Sequence, residues 1–287
     1  MITHETSNSN LSNLRSWLDA QPWALGNGWV TNLEARKQEE AGFHDADRVG
    51  HKDEIAGSTP NRRFYEAATR VGDYMERWFQ TAVPGTVFLD YACGNGIQTI
   101  RALRHKATLG VGIDVSEVSV ANARETSRRA GFGDNAYFLQ RDCEDTGLPA
   151  NSFTTCLCSG MLHHLDLNRA LPELYRIMAP GGRILAMEAL AYNPFIKLYR
   201  SRTPELRTEW ESRHILSLKE VNLAKKWFRV ENINYFLMAA PLATLLPSGI
   251  PRRLGLRVGH AIDAIVTRIP ILQLWSWQFS FELVKPD

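Results

Sequence analysis

The chain has 287 residues, 44% of them hydrophobic and 22% charged, an ordinary globular balance with room for one large α/β domain plus attachments. Its 33 basic and 31 acidic side chains leave a formal charge of +2, so no global field calls for nucleic acid or an acidic partner. No apolar run reaches the roughly 18 residues that span a bilayer, and the polar start MITHETSNSN lacks the basic and apolar regions of a secretory signal.

The first 80 residues read as a helical N-terminal arm, with Leu11, Leu14, Trp17 and Leu18 at helical spacing. From Val87 the texture changes to short apolar runs, TVFLDYA, ATLGVGIDV, NAYFLQRD, FTTCLCSG, GRILAMEAL, FRVENINYFL and QFSFELVK. Amphipathic stretches such as SVANARETSRRAG and ALPELYRIMAPGG separate the earlier ones, which is the pattern of βαβ units in a doubly wound, mostly parallel sheet. The four cysteines, Cys93, Cys143, Cys156 and Cys158, form no C-x-x-C pair and read as reduced, buried thiols of a cytoplasmic protein.

In such a sheet a ligand sits beyond the carboxyl ends of the strands, and the first strand-to-helix turn does most of the holding. Here that turn is DYACGNG, where Gly94 and Gly96 let the backbone bend and approach a ligand closely. The second strand ends on Asp114, placed to accept hydrogen bonds from a ribose, and the third leads to Asp142, an acceptor for an adenine amino group. A dehydrogenase needs G-x-G-x-x-G, but the frame reads Gly94-x-Gly96-x-x-Thr99, and Asp90 at the end of strand one repels a pyrophosphate.

DYACGNG, GIDVS, RDCEDTGLPANSF, SGMLHHL and LPELYRIMAPGGRIL, in that order, resemble the motifs of the class I S-adenosylmethionine-dependent methyltransferases, in their small-molecule branch. The resemblance covers about Val87 to Leu190 and implies a Rossmann-like sheet with an antiparallel last strand and S-adenosylmethionine as cofactor. It implies that Asp90, Ala92, Cys93, Gly94 and Gly96 surround the methionine portion, and that Asp114 and Val115 hold the ribose. Asp142 and Cys143 would hold the adenine, and Ser159 and Gly160 would lie by the sulfonium. Ala92 stands where the family has its first glycine, and Thr154 where it has an aspartate. Phe64 and Tyr65 fall where family members fold a lid, as does FHDADR, and Tyr65 is a cofactor-binding candidate or ordinary packing.

For catalysis the candidates are His163, His164 and Glu188. A histidine can take a proton from a hydroxyl or an activated carbon, but the pair equally orders its loop, and Glu188 is a base, an orienting group or a turn residue. No metal-ligand spacing is apparent. Asn193-Pro194-Phe195 follows strand five rather than strand four, so it is not the N-P-P-Y signature of enzymes that methylate nucleobases.

The methyltransferase domain is expected over residues 81–287, with acceptor-pocket insertions at about 191–225 and 238–272. Tyr192, Phe195, Tyr199 and Trp210 are wall candidates in the first, and Ile262 and Ile265 belong to an apolar helical face in the second. That face reads first as a lid over the acceptor, then as a subunit interface of a homo-oligomer, then as a peripheral membrane contact. The expected reaction moves a methyl group to oxygen or carbon of a small hydrophobic metabolite, prenylated, aromatic or polyketide-like. A lipid or quinone at a membrane surface is the alternative acceptor, and an inactive cofactor-binding protein is the third reading.

Overall fold

The computed structural model of the chain describes residues 4–49, 66–203 and 208–287. Phe64 and Tyr65 lie outside the described residues. Helices α1 (His4–Asp19), α2 (Asn27–Val30), α3 (Ala35–Arg48) and α4 (Thr69–Ala82) precede β1 (Val87–Tyr91). Then α5 (Ile97–Arg104), β2 (Leu109–Asp114), α6 (Glu117–Arg129), β3 (Ala136–Gln140), β4 (Phe153–Ser159), α7 (Leu167–Ile177) and β5 (Met178–Ala189) complete the alternating part.

After β5 come three short helices, α8 (Pro194–Ser201), α9 (Glu209–Arg213) and α10 (Leu218–Ala224), then β6 (Arg229–Phe236), α11 (Ile250–Val266) and β7 (Gln278–Val284). The seven strands form one sheet in the order β3-β2-β1-β4-β5-β7-β6. Strands β1 to β5 run parallel to one another, while β7 runs antiparallel to both β5 and β6. This is the doubly wound sheet that the apolar runs imply, with the antiparallel last strand that the family resemblance implies.

Helices cover both faces of the sheet, and its central strands are therefore buried throughout. β2 is buried along its whole length. α4 turns Val71, Met75, Trp78 and Phe79 inward, a spacing of three to four residues that forms one helical stripe. They pack with Phe88, Leu157 and Leu185 on one face. On the other face Leu14 and Leu18 of α1 join a core that includes Leu89, Ile113, Leu139 and Phe281. The N-terminal arm is thus partly built into the core, and a boundary at residue 80 falls inside α4.

Side-chain caps mark several helix starts. Ser116 caps α6 by accepting the Ser119 amide, and Ser217 with Glu220 forms a reciprocal capping box on α10. The Asn193-Pro194-Phe195 tripeptide is such a start. The Asn193 side chain accepts the amides of Phe195 and Ile196, and Pro194 occupies the first turn of α8.

Candidate active site

The turns after β1, β2 and β4 meet at one end of the sheet and open into a cleft with a cavity of about 120 Å³. Ala92, Asp114, Val115 and Asp142 line it, as do Cys143, Ser159, Gly160 and His164. The turn after β1 is tight: Ala92 has φ +61° and Gly94 φ +52°. The Gly94 amide donates to Asp114 Oδ2 at 2.8 Å and the Ser116 amide to Oδ1 at 2.9 Å. Both bonds fix the carboxylate while leaving each oxygen a further lone pair. The Tyr91 hydroxyl donates to the Cys143 carbonyl, which ties the Asp142–Cys143 turn to β1.

Helix α3 closes the cleft with a charged face. Lys37 Nζ lies 2.6 Å from Asp142 Oδ2 and 2.8 Å from Glu144 Oε2, and Arg36 reaches Glu144 Oε1 at 2.6 Å. Arg48 lies 3.6 Å from Asp114 Oδ2 and donates to Ser119 Oγ. A Cβ on Gly94 would stand 3.2 Å from its guanidinium, so only a glycine admits this close approach at full comfort. Asp45 accepts from the Ser116 hydroxyl. The FHDADR segment therefore borders the cleft through His44 and Arg48.

The cleft suits a nucleoside with a charged tail. It offers a braced carboxylate at the end of β2, a second acceptor at Asp142, a cation at Arg48, and exposed backbone at Ser159 and Gly160. Gly160 has φ +65° and open space where a side chain would project. Residues 89–186 match the family described as "Methyltransferase domain".

Over that stretch, about a third of its length, the chain carries a methyltransferase domain.

The chain is 33% identical over 107 residues to the ubiquinone/menaquinone biosynthesis C-methyltransferase UbiE of Escherichia coli O1:K1 / APEC. That match covers 36% of this chain and 43% of UbiE, so the chain spans less than half of this relative. Among solved structures, geranyl diphosphate C-methyltransferase from Streptomyces coelicolor A3(2) superposes with a TM-score of 0.62 at 13% identity, covering 88% of this chain and 98% of that one. The magnesium protoporphyrin IX methyltransferase ChlM from Synechocystis PCC 6803 gives 0.57 at 13% identity, covering 87% and 99%. The [4+2]-cyclase SpnF gives 0.54 at 18%, covering 87% and 97%. These likenesses are of fold.

Several expected positions do not face the cleft. Asp90 is buried beneath the turn, where its Oδ2 accepts the amide and hydroxyl of Thr99. Burial pushes its pKa up to about 7. Gly96 is a packing glycine: a Cβ there would lie 2.7 Å from Ala123 Cβ and from the Phe138 ring. Cys93 is buried with its sulfur against Gly112, and burial raises its thiol pKa.

The two histidines separate. They occupy one short 3₁₀ turn, Leu162–His164, in which successive side chains point in different directions. His163 is drawn inward, with Nδ1 2.7 Å from Glu188 Oε2. The other Glu188 oxygen accepts the Met161 amide at 2.9 Å and the Leu162 amide at 2.7 Å. Both oxygens of this buried carboxylate are thus occupied by its own loop, an orienting geometry. His164 lines the cleft, and its Nδ1 lies 2.9 Å from Glu40 Oε2 on α3. Burial opposes the imidazolium, but the hydrogen bond and charge of Glu40 outweigh it and raise the His164 pKa.

Among the described residues, Glu40, His44 and His164 bring ligand-type atoms within 4.8 Å of one another, as do His163, His164 and Glu211. The sequence shows no such spacing because the first set comes from elements 120 positions apart. Glu40 is engaged there by His164 and by the Thr208 hydroxyl at 2.5 Å. Burial and the Arg48 charge hold His44 down at about 4.

The acceptor-wall candidates are dispersed. The Tyr192 hydroxyl accepts the Leu218 amide and so fixes the start of α10. Phe195 is 70% exposed, and Tyr199 is half-buried outside the cleft lining. Trp210 stacks on His214 and carries the Arg36 guanidinium 4.4 Å from its ring centre. Ile262 and Ile265 do not line the cleft and are exposed. α11 packs through its glycines instead, because only small residues allow its close approach to the turn below.

Proposed function

We propose that the chain transfers a methyl group from S-adenosylmethionine to oxygen or carbon of a small hydrophobic acceptor. The observation that carries this reading is Asp114, a braced carboxylate at the cleft end of β2 with the Gly94 amide bound to it. It accepts hydrogen bonds from the ribose hydroxyls. Asp142 accepts from the adenine amino group once Lys37 yields it, and Arg48, beside Gly94, neutralises the α-carboxylate. When bound, the cofactor supplies a methyl group on a sulfonium, open to in-line attack.

The protein's part is positioning and proton handling. Ser159 and Gly160 offer backbone to the bound molecule, and Glu188 holds the loop that carries both histidines. His164 is the residue placed to take a proton from the acceptor. Its Nδ1 is held by Glu40, which leaves Nε2 for the transfer. The names of the relatives support a small acceptor of prenyl, quinone or tetrapyrrole type. The [4+2]-cyclase among the fold neighbours shows that the fold also carries other chemistry.

The test is incubation of the purified chain with S-adenosylmethionine and a panel of prenyl, quinone, phenolic and polyketide acceptors. Mass spectrometry should detect S-adenosylhomocysteine together with an acceptor heavier by one methylene. Tight cofactor binding with no methylated product from any acceptor would favour the inactive cofactor-binding reading.

A further inference from the structure

Residues 237–277 carry an outward surface that no described part of the chain covers. α11 buries one side against the turn Ala240–Leu245. A Cβ on Gly259 would fall 2.6 Å from Ala240 Cα, and one on Gly255 2.6 Å from Leu246 Cδ1. Asp263, on that inner side, accepts the Ala239 amide at 2.6 Å and the Ala240 amide at 3.3 Å. The other side of the helix therefore points out. Ile250 is 73% exposed, Leu254 59%, Val258 53% and Ile265 66%. The turns at either end extend this surface with Leu242, Leu245, Ile271 and Trp275, all exposed.

The charges on this segment have one sign. Its only acid is Asp263, which is buried. Arg253, Arg257 and Arg268 are exposed beside the apolar stripe. The segment also leaves and rejoins the sheet at the end that carries the cleft, since Phe236 and Ala189 both pair with Gln278.

We propose that this face docks flat on the surface of an anionic bilayer. Soluble monomers rarely leave this many large apolar side chains exposed on one segment without a partner. An apolar stripe flanked by arginines is the composition that settles into the boundary between headgroups and acyl chains. No helix among the described residues is long and apolar enough to cross a membrane, so the contact lies along the surface. A two-fold contact between copies would set these arginines against the same arginines, with no exposed acid on the segment to offset them. A bilayer bearing negative headgroups satisfies both the apolar and the cationic parts. The inference stands on this surface alone and does not require the transferase reading.

The experiment is flotation of the full chain with vesicles of phosphatidylcholine, with and without about one-third phosphatidylglycerol. The chain should float with the anionic vesicles, less so at high salt. Leu254→Ser with Ile265→Ser, and separately Arg257→Glu with Arg268→Glu, should each lower vesicle binding by about tenfold or more, with unchanged thermal unfolding because these side chains are exposed. Absence of flotation with anionic vesicles would overturn the proposal. So would a wild-type chain that ignores vesicles and sediments as a dimer that the Leu254→Ser, Ile265→Ser variant converts to monomer.

Discussion

Lys37, from α3, places its ammonium 2.6 Å from Asp142 Oδ2 in the cleft. Helix α3 thereby occupies the acceptor proposed for the adenine amino group. Removing the competing cation frees that acceptor, so Lys37→Met should bind S-adenosylhomocysteine about three- to tenfold more tightly, which corresponds to one modest hydrogen bond. Titration calorimetry reads this directly. Weaker binding in the variant would mean that Lys37 helps hold the ligand.

Asp114 should have the opposite signature. Replacing it by Ala removes charge-assisted bonds worth about 1.5 to 3 kcal/mol each. The affinity for S-adenosylhomocysteine should drop at least tenfold. Unchanged calorimetric affinity would remove Asp114 from the ribose site.

The Glu40–His164 pair gives transfer a pH signature. A base must be neutral to accept a proton, and Glu40 holds the His164 pKa above its ordinary 6.5. The rate should therefore fall as pH drops through a midpoint above 6.5. In Glu40→Gln the carboxylate is gone while burial remains, so that midpoint should move down. Identical kcat/KM profiles for wild type and variant would exclude His164 as the base.

Asp90 predicts a stability limb instead. Its folded pKa is raised to about 7 against an ordinary 3.8, so the folded state retains a proton that the unfolded chain loses. Stability should fall as pH rises from about 4 to about 7, then level off. Asp90→Asn keeps an oxygen for Thr99 and lacks the titration. Its Tm should exceed that of wild type at pH 8 and match it near pH 4. Parallel Tm curves across that range would contradict the assignment.

Ala92 holds φ +61°, a conformation that costs an L-residue about 1 to 2 kcal/mol. Glycine removes that strain and returns about 0.4 to 1 kcal/mol through its greater freedom when unfolded. Ala92→Gly should thus be more stable by about half to one kcal/mol, read as a shift in denaturant midpoint. A less stable variant would show that the Ala92 methyl contributes more to the adjoining core than the strain costs.

All seven strands were legible in the sequence, the central ones because burial on both faces turns a strand into a short apolar run, while the edge strand β6, none of it fully buried, was marked by its β-branched and aromatic residues. Asp114, Asp142 and Gly160 were legible for a related reason: each directly follows or ends such a run. Lys37, Glu40 and Arg48 were not. A charged helix face ordinarily meets water, and this one meets Asp142, Glu144 and His164 from turns more than 60 residues away. The apolar stripe at Ile262 and Ile265 misled in the reverse sense. Its periodicity says that one face is apolar, while burial went to the side where Gly255 and Gly259 permit close approach.

The position of β7 between β5 and β6 bears on how the chain reaches this structure. β6 pairs with β7 and with no other strand of the sheet. When residues 229–236 first emerge they have no edge to join, and they wait until residues 278–284 have docked on β5. Closing the intervening loop is entropically costly, and the cost comes before any pairing of β6 offsets it. Capture of β6 is therefore expected to be a late step in refolding. Hydrogen exchange pulsed during refolding should protect the β1 and β4 amides before those of Val230 and Tyr235.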